Sequence, residues 1–356
     1  MVTPLPPGAV SPAASADALH AAVGEYAAAA RAVNTWRAYR SDHARFAAWC
    51  GAQDPPESAL PAAPVVLARY LVAHAGARRP ATLARWCSSI AVAHDLAGHP
   101  SPTRDEQVRT VLAGIRRTHR TRPARVAAAS PDDLRAMMIP LDPKSPRDAR
   151  DRALLLIGFA GALRRSELVA LTLGDITLDS DGLRIFIASS KTDPHALGHT
   201  RGLSYGSDPA TCPVRAWQAW LQHRLHSPTA QPATGDPART EPGRPAPGRP
   251  GTGDASRLLP AAGAFVAVDR WGRLGEAALS DRSVARIVAE RADAAGLPGH
   301  WAGHSLRRGF ATTAHASGAS EVALMRHGRW RSSSSMRGYI DEGTVWSDNP
   351  TRRLGL

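Results

Sequence analysis

Lysine is almost missing from this sequence. Lys144 and Lys191 are the only lysines among its 44 basic residues, and all the others are arginines. Arginine stays protonated near neutral pH and cannot act as a proton donor, whereas lysine can when burial or neighbouring cations lower its pKa. Lys191, within a Ser-Ser-Lys-Thr-Asp-Pro stretch, is therefore a candidate for a specific role in proton transfer. A chance codon is the alternative.

Cysteine pairs, metal-binding patterns and long apolar runs are also missing. The three cysteines form no CxxC pair and the 14 histidines form no HExxH pattern, so the sequence predicts no disulfide framework and no structural zinc. We expect no metal and no cofactor. No apolar run approaches the roughly 18 residues that a membrane span needs. Residues 1–16 are rich in Pro, Ala and Ser, which predicts a disordered leader rather than a signal peptide.

The charge balance of the chain is strongly positive. The formal net charge is +13 and the sequence pI is about 10.9. An excess of this size favours a polyanionic partner, either nucleic acid or an acidic membrane surface, although a basic protein can also be merely soluble. We favour nucleic acid and expect no membrane.

The length of 356 residues suggests two domains. Residues 17–122 show helical patterns only, and Asn34 is expected to cap a helix on which aromatic residues recur at three- and four-residue steps. Residues 123–129 read as a short basic linker. Ser130, followed by Pro and two Asp residues, is predicted to start the first helix of a second domain, 130–356.

The second domain is predicted to be mainly helical with a small antiparallel β-sheet. Residues 150–171 form one long helical pattern. Weak alternation predicts a strand over 183–188, and a second strand near 201–205 would complete a hairpin with Lys191 in its loop. Residues 227–256 are rich in Pro, Gly, Arg and Thr without any period, which predicts a disordered insertion. The predicted fold class is therefore mainly α with a small sheet (α+β).

Several short patterns in this domain carry polar or ionisable side chains. The first runs Gly-Ala-Leu-Arg-Arg-Ser-Glu-Leu from Gly161 to Leu168. Arg164 and Glu167 are three residues apart and can share a helical face, so the carboxylate can orient the guanidinium. An isolated Arg/Glu pair is more often a plain surface ion pair.

The remaining patterns follow toward the C-terminal end. His304-Ser-Leu-Arg307 places a histidine and an arginine where both can face one anion. Gly-Arg-Trp ends at Trp330, and Tyr339 follows nine residues later. A lone Trp or Tyr is far more often a core residue than a catalyst. Each signal is weak alone, so their order and spacing carry the information.

In order and spacing this set resembles the signature of the tyrosine recombinase (phage integrase) family, which is Arg, Lys, His-x-x-Arg, His or Trp, then Tyr. The family's first box is similar to Gly161–Leu168 with Ala162 as an extra residue, which selects Arg164 over Arg165. The hairpin lysine of the family falls on Lys191.

The other boxes align in the same order. The HxLR box falls on His304 and Arg307, which selects Arg307 over Arg308. The residue nine before the nucleophile falls on Trp330, an accepted variant of the usual His, and the nucleophile falls on Tyr339. The resemblance covers about residues 130–345, and the helical N-terminal region looks like the family's core-binding domain.

The resemblance implies a function and a set of partners. The expected activity is site-specific cleavage and rejoining of DNA through a 3′-phosphotyrosyl intermediate, without metal or ATP, for integration, excision or resolution. The implied catalytic residues are Arg164, Lys191, His304, Arg307, Trp330 and Tyr339, with Glu167 supporting Arg164. The implied partner is double-stranded DNA, bound by a homotetramer on two sites, in the cytoplasm with the nucleoid. The arginines expected to contact DNA are Arg116, Arg117, Arg122 and Arg125.

Three other classes of protein remain as alternatives. A type IB topoisomerase uses a similar site on one duplex. A non-catalytic DNA-binding protein could keep the fold without the activity, and a basic scaffold could bind RNA. The HxLR box and the small helical domain favour a recombinase, and the scaffold leaves the ordered spacing unexplained.

Overall fold

The fold is described from a computed structural model that covers residues 33–119, 125–188, 198–226, 260–330 and 332–340, with Thr351 and Leu354. The predicted leader (1–16), the predicted insertion (227–256), Lys191 and Arg122 lie outside these described residues. The contacts divide the chain into two compact units, Met1–Pro123 and Ala124–Leu356.

The described part of the first unit is helical. Proline occupies the first turn of the second and third helices, where its missing N–H costs nothing. The core is aromatic, with the rings of Tyr70 and Trp86 stacked at 5.2 Å between centroids. The helices are α1 (Val33–Gly51), α2 (Pro64–His74), α3 (Pro80–Leu96) and α4 (Glu106–Thr118).

The predicted N-cap at Asn34 is wrong. Helix α1 already includes Val33, so Asn34 lies within the helix. Its Oδ1 accepts a hydrogen bond from Arg37 Nη1 at 3.0 Å, one turn further on, instead of capping a free backbone N–H. A side chain of this type serves either purpose, and the sequence does not distinguish them.

The second unit has helices around a small sheet. Ser130 caps its first helix as predicted, in a reciprocal arrangement with Asp133. The buried run Leu154–Ile157 places one helix in the middle of the core. The helices are α5 (Pro131–Met138), α6 (Pro146–Ala160), α7 (Arg165–Ala170), α8 (Pro213–His226), α9 (Asp281–Ala294), α10 (Gly303–Ala316), α11 (Glu321–Gly328) and α12 (Ser333–Ile340).

The long helix predicted over 150–171 is two helices. Helix α6 ends at Ala160, and α7 begins at Arg165 after a tight turn in which Ala162 has a φ of +48°. A left-handed residue cannot continue a right-handed helix, so the chain changes direction there. This turn separates the apolar run from the arginine box.

The sheet contains the predicted hairpin and one further strand. Strands β1 (Ile176–Asp179), β2 (Gly182–Ile187) and β3 (His199–Ser204) pair antiparallel in that order, with Ile185 opposite Arg201. A second sheet pairs β4 (Val266–Val268) with β5 (Leu274–Ala278). The predicted fold class is confirmed. No helix among the described residues is long and apolar enough to cross a membrane.

Candidate active site

His304 and Tyr339 meet across two helices. His304 lies in the first turn of α10 and Tyr339 near the end of α12, and Nε2 of the imidazole is 2.7 Å from the phenolic Oη. The backbone of α12 is held to α10 by Thr312, whose hydroxyl donates to the carbonyl oxygen of Tyr339 at 2.9 Å. The Tyr339 side chain is half-buried, so its hydroxyl is fixed and still reachable.

Arg307 lies on the same helix, one turn after His304. It is among the largest fully buried side chains, with a relative exposure of 2%. Its two terminal nitrogens donate to the carbonyl oxygens of Ala162 at 2.5 Å and Gly328 at 2.7 Å. Burial and the positive charge of Arg164 lower the pKa of Arg307 to about 9, so the guanidinium stays charged at neutral pH.

Arg164 precedes α7 and is oriented by Glu167. The Glu167 carboxylate accepts the backbone N–H of Arg164 at 2.9 Å and also bonds the guanidinium. Burial of Glu167 acts to raise its pKa, but the hydrogen bonds and charge of Arg164 outweigh this effect and lower it. The carboxylate is buried whereas Arg164 is 19% exposed, so this pair is not a plain surface ion pair.

Trp330 packs over Arg307. The Arg307 Cζ lies 4.3 Å from the centroid of the indole ring, and the indole and Tyr339 rings are 6.1 Å apart. A Cβ on Gly328 would overlap the indole, so glycine is required there. The Trp330 Nε1 is buried and has no hydrogen-bond acceptor among the described residues. The indole N–H can donate a hydrogen bond but cannot accept one.

Loss of hydration and neighbouring positive charge together control the ionisation of His304. Loss of hydration at the ring and the charges of Arg307, Arg164, Arg165 and Arg308 lower the pKa of His304 to about 4, although the residue as a whole is exposed. The imidazole is therefore neutral near pH 7. With its proton on Nδ1, Nε2 can accept the proton of the tyrosine hydroxyl.

The structure brings together Arg164, Glu167, His304, Arg307, Trp330 and Tyr339 of the residues proposed from the sequence. Lys191 belongs to the chain between β2 and β3 but lies outside the described residues. No cluster of His, Cys, Asp or Glu that could hold a metal ion occurs in the described part of the chain.

The arginines expected to contact DNA fall at different places. Arg116 and Arg117 are exposed in the last turn of α4, and Arg122 lies outside the described residues. Arg125 belongs to the second unit, where its guanidinium donates to the carbonyl oxygen of Gly338 at 3.1 Å, next to Tyr339.

Sequence reasoning missed one buried arginine of the site. Arg201, on β3, donates to the carbonyl oxygen of Gly161 and lies 3.9 Å from Glu167. In a chain so rich in arginine, a further arginine gives no signal. Alternation along the predicted strand could have found it, because Arg201 points to the same face as the buried Leu203.

Comparisons with known proteins identify the family. Residues 129–344 match the phage integrase family. The chain is 32% identical over 328 residues to an integrase/recombinase xerD homolog of Selenomonas ruminantium, covering 91% of this chain and 86% of that protein.

Two solved structures share the fold. One is XerH site-specific recombinase bound to a palindromic difH substrate in a post-cleavage complex, with a TM-score of 0.53 and 16% identity over 82% of this chain and 71% of that one. The other is a lambda integrase dimer bound to a COC′ core site, with a TM-score of 0.53 and 15% identity over 91% and 95% of the chains.

The chain therefore belongs to the phage integrase family, the tyrosine recombinases, whose activity is cleavage and rejoining of DNA. The family expected from the motifs is confirmed.

Proposed function

We propose that this protein recombines double-stranded DNA at specific sites, with Tyr339 as its nucleophile. The phenolic oxygen attacks a phosphodiester, a 3′-phosphotyrosyl bond forms, and the 5′-oxygen leaves as a hydroxyl. A 5′-hydroxyl of a partner strand then reverses the attack and releases Tyr339. The observation that carries this proposal is the 2.7 Å distance between Tyr339 Oη and His304 Nε2 beside a buried arginine.

Proton transfer is assigned to two side chains. His304, neutral near pH 7, accepts the proton of Tyr339 as the oxygen attacks. Lys191 is proposed to give a proton to the leaving 5′-oxygen, because arginine cannot do so. The phosphodiester bond energy is stored in the covalent intermediate, so the cycle needs no ATP.

Charge stabilisation is assigned to the two arginines. Arg164 and Arg307 are proposed to donate to the non-bridging oxygens of the phosphate as negative charge builds up. Both are held before DNA arrives, by Glu167 and by the carbonyl oxygens of Ala162 and Gly328. Trp330 would add a neutral donor through its free Nε1.

A larger assembly is part of the proposal. Exchange between two duplexes needs four active sites, so we propose a homotetramer on two DNA sites. The exposed Arg116 and Arg117 are proposed to contact phosphates, together with Arg122 and Arg125. Integration, excision and resolution all fit this chemistry.

The test is covalent trapping on nicked suicide DNA taken from the flanks of the protein's own gene, without metal. The wild type should give a DNA-linked band on a denaturing gel, and Tyr339→Phe should give none. Tyr205→Phe is the matched control, because Tyr205 is 43% exposed and contacts Arg215 instead of the site; it should trap DNA like the wild type.

The same assay separates the alternatives. Absence of a wild-type band on DNA that the protein demonstrably binds would contradict the catalytic proposal and favour a binding role. Relaxation of supercoiled plasmid of any sequence, with no exchange between two sites, would favour the topoisomerase.

A further inference from the structure

Arg201 is a buried cation next to the phosphate-binding arginines. Its side chain is 2% exposed and projects from β3 toward the turn after α6. The Nε donates to His199 Nε2 at 3.1 Å. All three of its side-chain nitrogens face protein groups, namely His199, Gly161 and Glu167. Any effect on the reaction is therefore expected to pass through these neighbours.

The first neighbour is the turn that holds Arg307. Nη1 of Arg201 donates to the carbonyl oxygen of Gly161, and Nη1 of Arg307 donates to the next carbonyl oxygen, that of Ala162, at 2.5 Å. These carbonyl groups come directly after the C-terminal end of α6. The negative end of the helix dipole lies there and favours cations. Two successive carbonyls therefore fix two guanidiniums side by side.

The second neighbour is the carboxylate that holds Arg164. Nη2 of Arg201 lies 3.9 Å from Glu167 Oε2, the oxygen that accepts the backbone N–H of Arg164. This Nη2 has no hydrogen-bond acceptor in the described part of the chain. One carboxylate thus bonds Arg164, lies 3.9 Å from Arg201 and interacts electrostatically with Arg307. The cluster therefore has an excess of positive charge before substrate binds.

We propose that Arg201 is a positioning residue, which orients Arg164 through Glu167 and Arg307 through the Gly161–Ala162 turn, so that both guanidiniums meet the scissile phosphate. The inference rests on the proposed function of those two arginines. Burial, together with the charges of Arg164 and Arg329, lowers the pKa of Arg201 to about 10, as a buried excess of positive charge requires. A bound phosphate supplies the missing negative charge.

The test compares two substrates. In one suicide DNA the scissile linkage is an ordinary phosphodiester, and in the other it is a methylphosphonate, which lacks one charged oxygen and needs less help from arginine. Arg201→Gln and Arg201→Lys should slow formation of the Tyr339 adduct on the phosphodiester by about 10- to 100-fold, the usual effect of losing a supporting side chain. On the methylphosphonate they should differ from the wild type by less than about 3-fold, because little charge remains to be neutralised.

Arg184→Gln is the matched control. Arg184 is on the adjacent strand β2, exposed and paired with Asp179, and its loss should leave both rates unchanged. Thermal melting is recorded for each variant. Arg201→Lys keeps the buried charge beside Glu167. If Arg201→Gln does not fold, the adduct rates of Arg201→Lys on the two substrates test the inference.

Several outcomes would overturn the inference. Wild-type rates in both variants, equal losses on both substrates, or loss of folded structure in both variants would leave Arg201 without a positioning role. A wild type that forms no adduct would instead contradict the proposed function, so the two failures are distinguishable.

Discussion

The ionisation of His304 determines which proton transfers the site can perform. A base must be unprotonated. The lowered pKa of about 4 keeps the His304 imidazole neutral throughout the physiological pH range. Since a depressed pKa means that the proton binds only at lower pH, the accepting form is present above about pH 5 and is lost as the pH falls through 4.

We therefore expect a flat pH profile where an ordinary histidine would titrate. At sub-saturating DNA, the second-order rate constant for Tyr339 adduct formation reports the free protein, and it should hold from about pH 8 to about pH 5. Circular dichroism over the same range shows whether the protein stays folded. A rate that is half lost near pH 6.5, the unperturbed value for histidine, would refute this role for the lowered pKa.

Motif spacing explains which residues of the site the sequence could predict. Arg164, His304, Arg307 and Tyr339 were found because family spacing singles them out, and the structure places them together. Arg201 has no such spacing. Its importance comes from burial against Gly161 and Glu167, which only the folded chain brings close.

At the scale of elements, the turn after α6 replaces the helix that periodicity predicted. The apolar run continues into the arginine box without a proline, so a helical pattern alone does not reveal the break. Strand β1 was missed for a related reason: only Ile176 of its four residues is buried, which leaves no alternation to detect. Tertiary contacts decide both.

Substitution of Ala162 tests this turn, because it changes two opposing contributions to the free energy of unfolding. A left-handed alanine costs about 1–2 kcal/mol, whereas its methyl group is fully buried and contributes about 0.8 kcal/mol. Ala162→Gly removes both, so the free energy of unfolding should change by less than about 1 kcal/mol. Ala162→Val adds a branched side chain at positive φ and should cost more than about 2 kcal/mol.

Ala153→Gly provides the comparison for chemical denaturation. Ala153 is equally buried but lies within α6, where glycine loses both the methyl contact and helix propensity. That variant should lose about 1.5–2 kcal/mol. Equal losses for Ala153→Gly and Ala162→Gly would mean that the left-handed conformation stores no energy.

At the scale of the whole molecule, the flanks of residues 227–256 are joined to each other. Trp220 Nε1 donates to the carbonyl oxygen of Ala264 at 2.8 Å, and Arg224 donates to that of Gly263 at 3.1 Å. Both pairs tie α8 to the described segment that begins at Pro260, so this connection is made by residues outside 227–256.

Replacing 227–256 with a Gly-Ser linker of about six residues should therefore preserve adduct formation. Because the composition of this segment predicts disorder, its shortening should alter the free energy of unfolding by only about 1 kcal/mol. Trapping and melting are measured on the same preparation. A normal melting temperature with no adduct would assign the segment to the site or to the assembly.

The net charge of +13 should appear as a steep salt dependence of DNA binding. Each phosphate neutralised releases a counterion, so the logarithm of the binding constant falls by about 0.9 per contact and per tenfold rise in salt. If Arg116 and Arg117 each contact a phosphate, replacing both with Gln should reduce this slope by about two.

Arg109→Gln is the matched control on α4, because Arg109 pairs with Glu106 at 3.2 Å and its contact is already made within the protein. Fluorescence anisotropy at several salt concentrations measures all three slopes. A flat response in the wild type would argue against a phosphate-binding surface. A reduction of about one by Arg109→Gln, half that of the double variant, would mean that total charge, not contact by these two arginines, sets the slope.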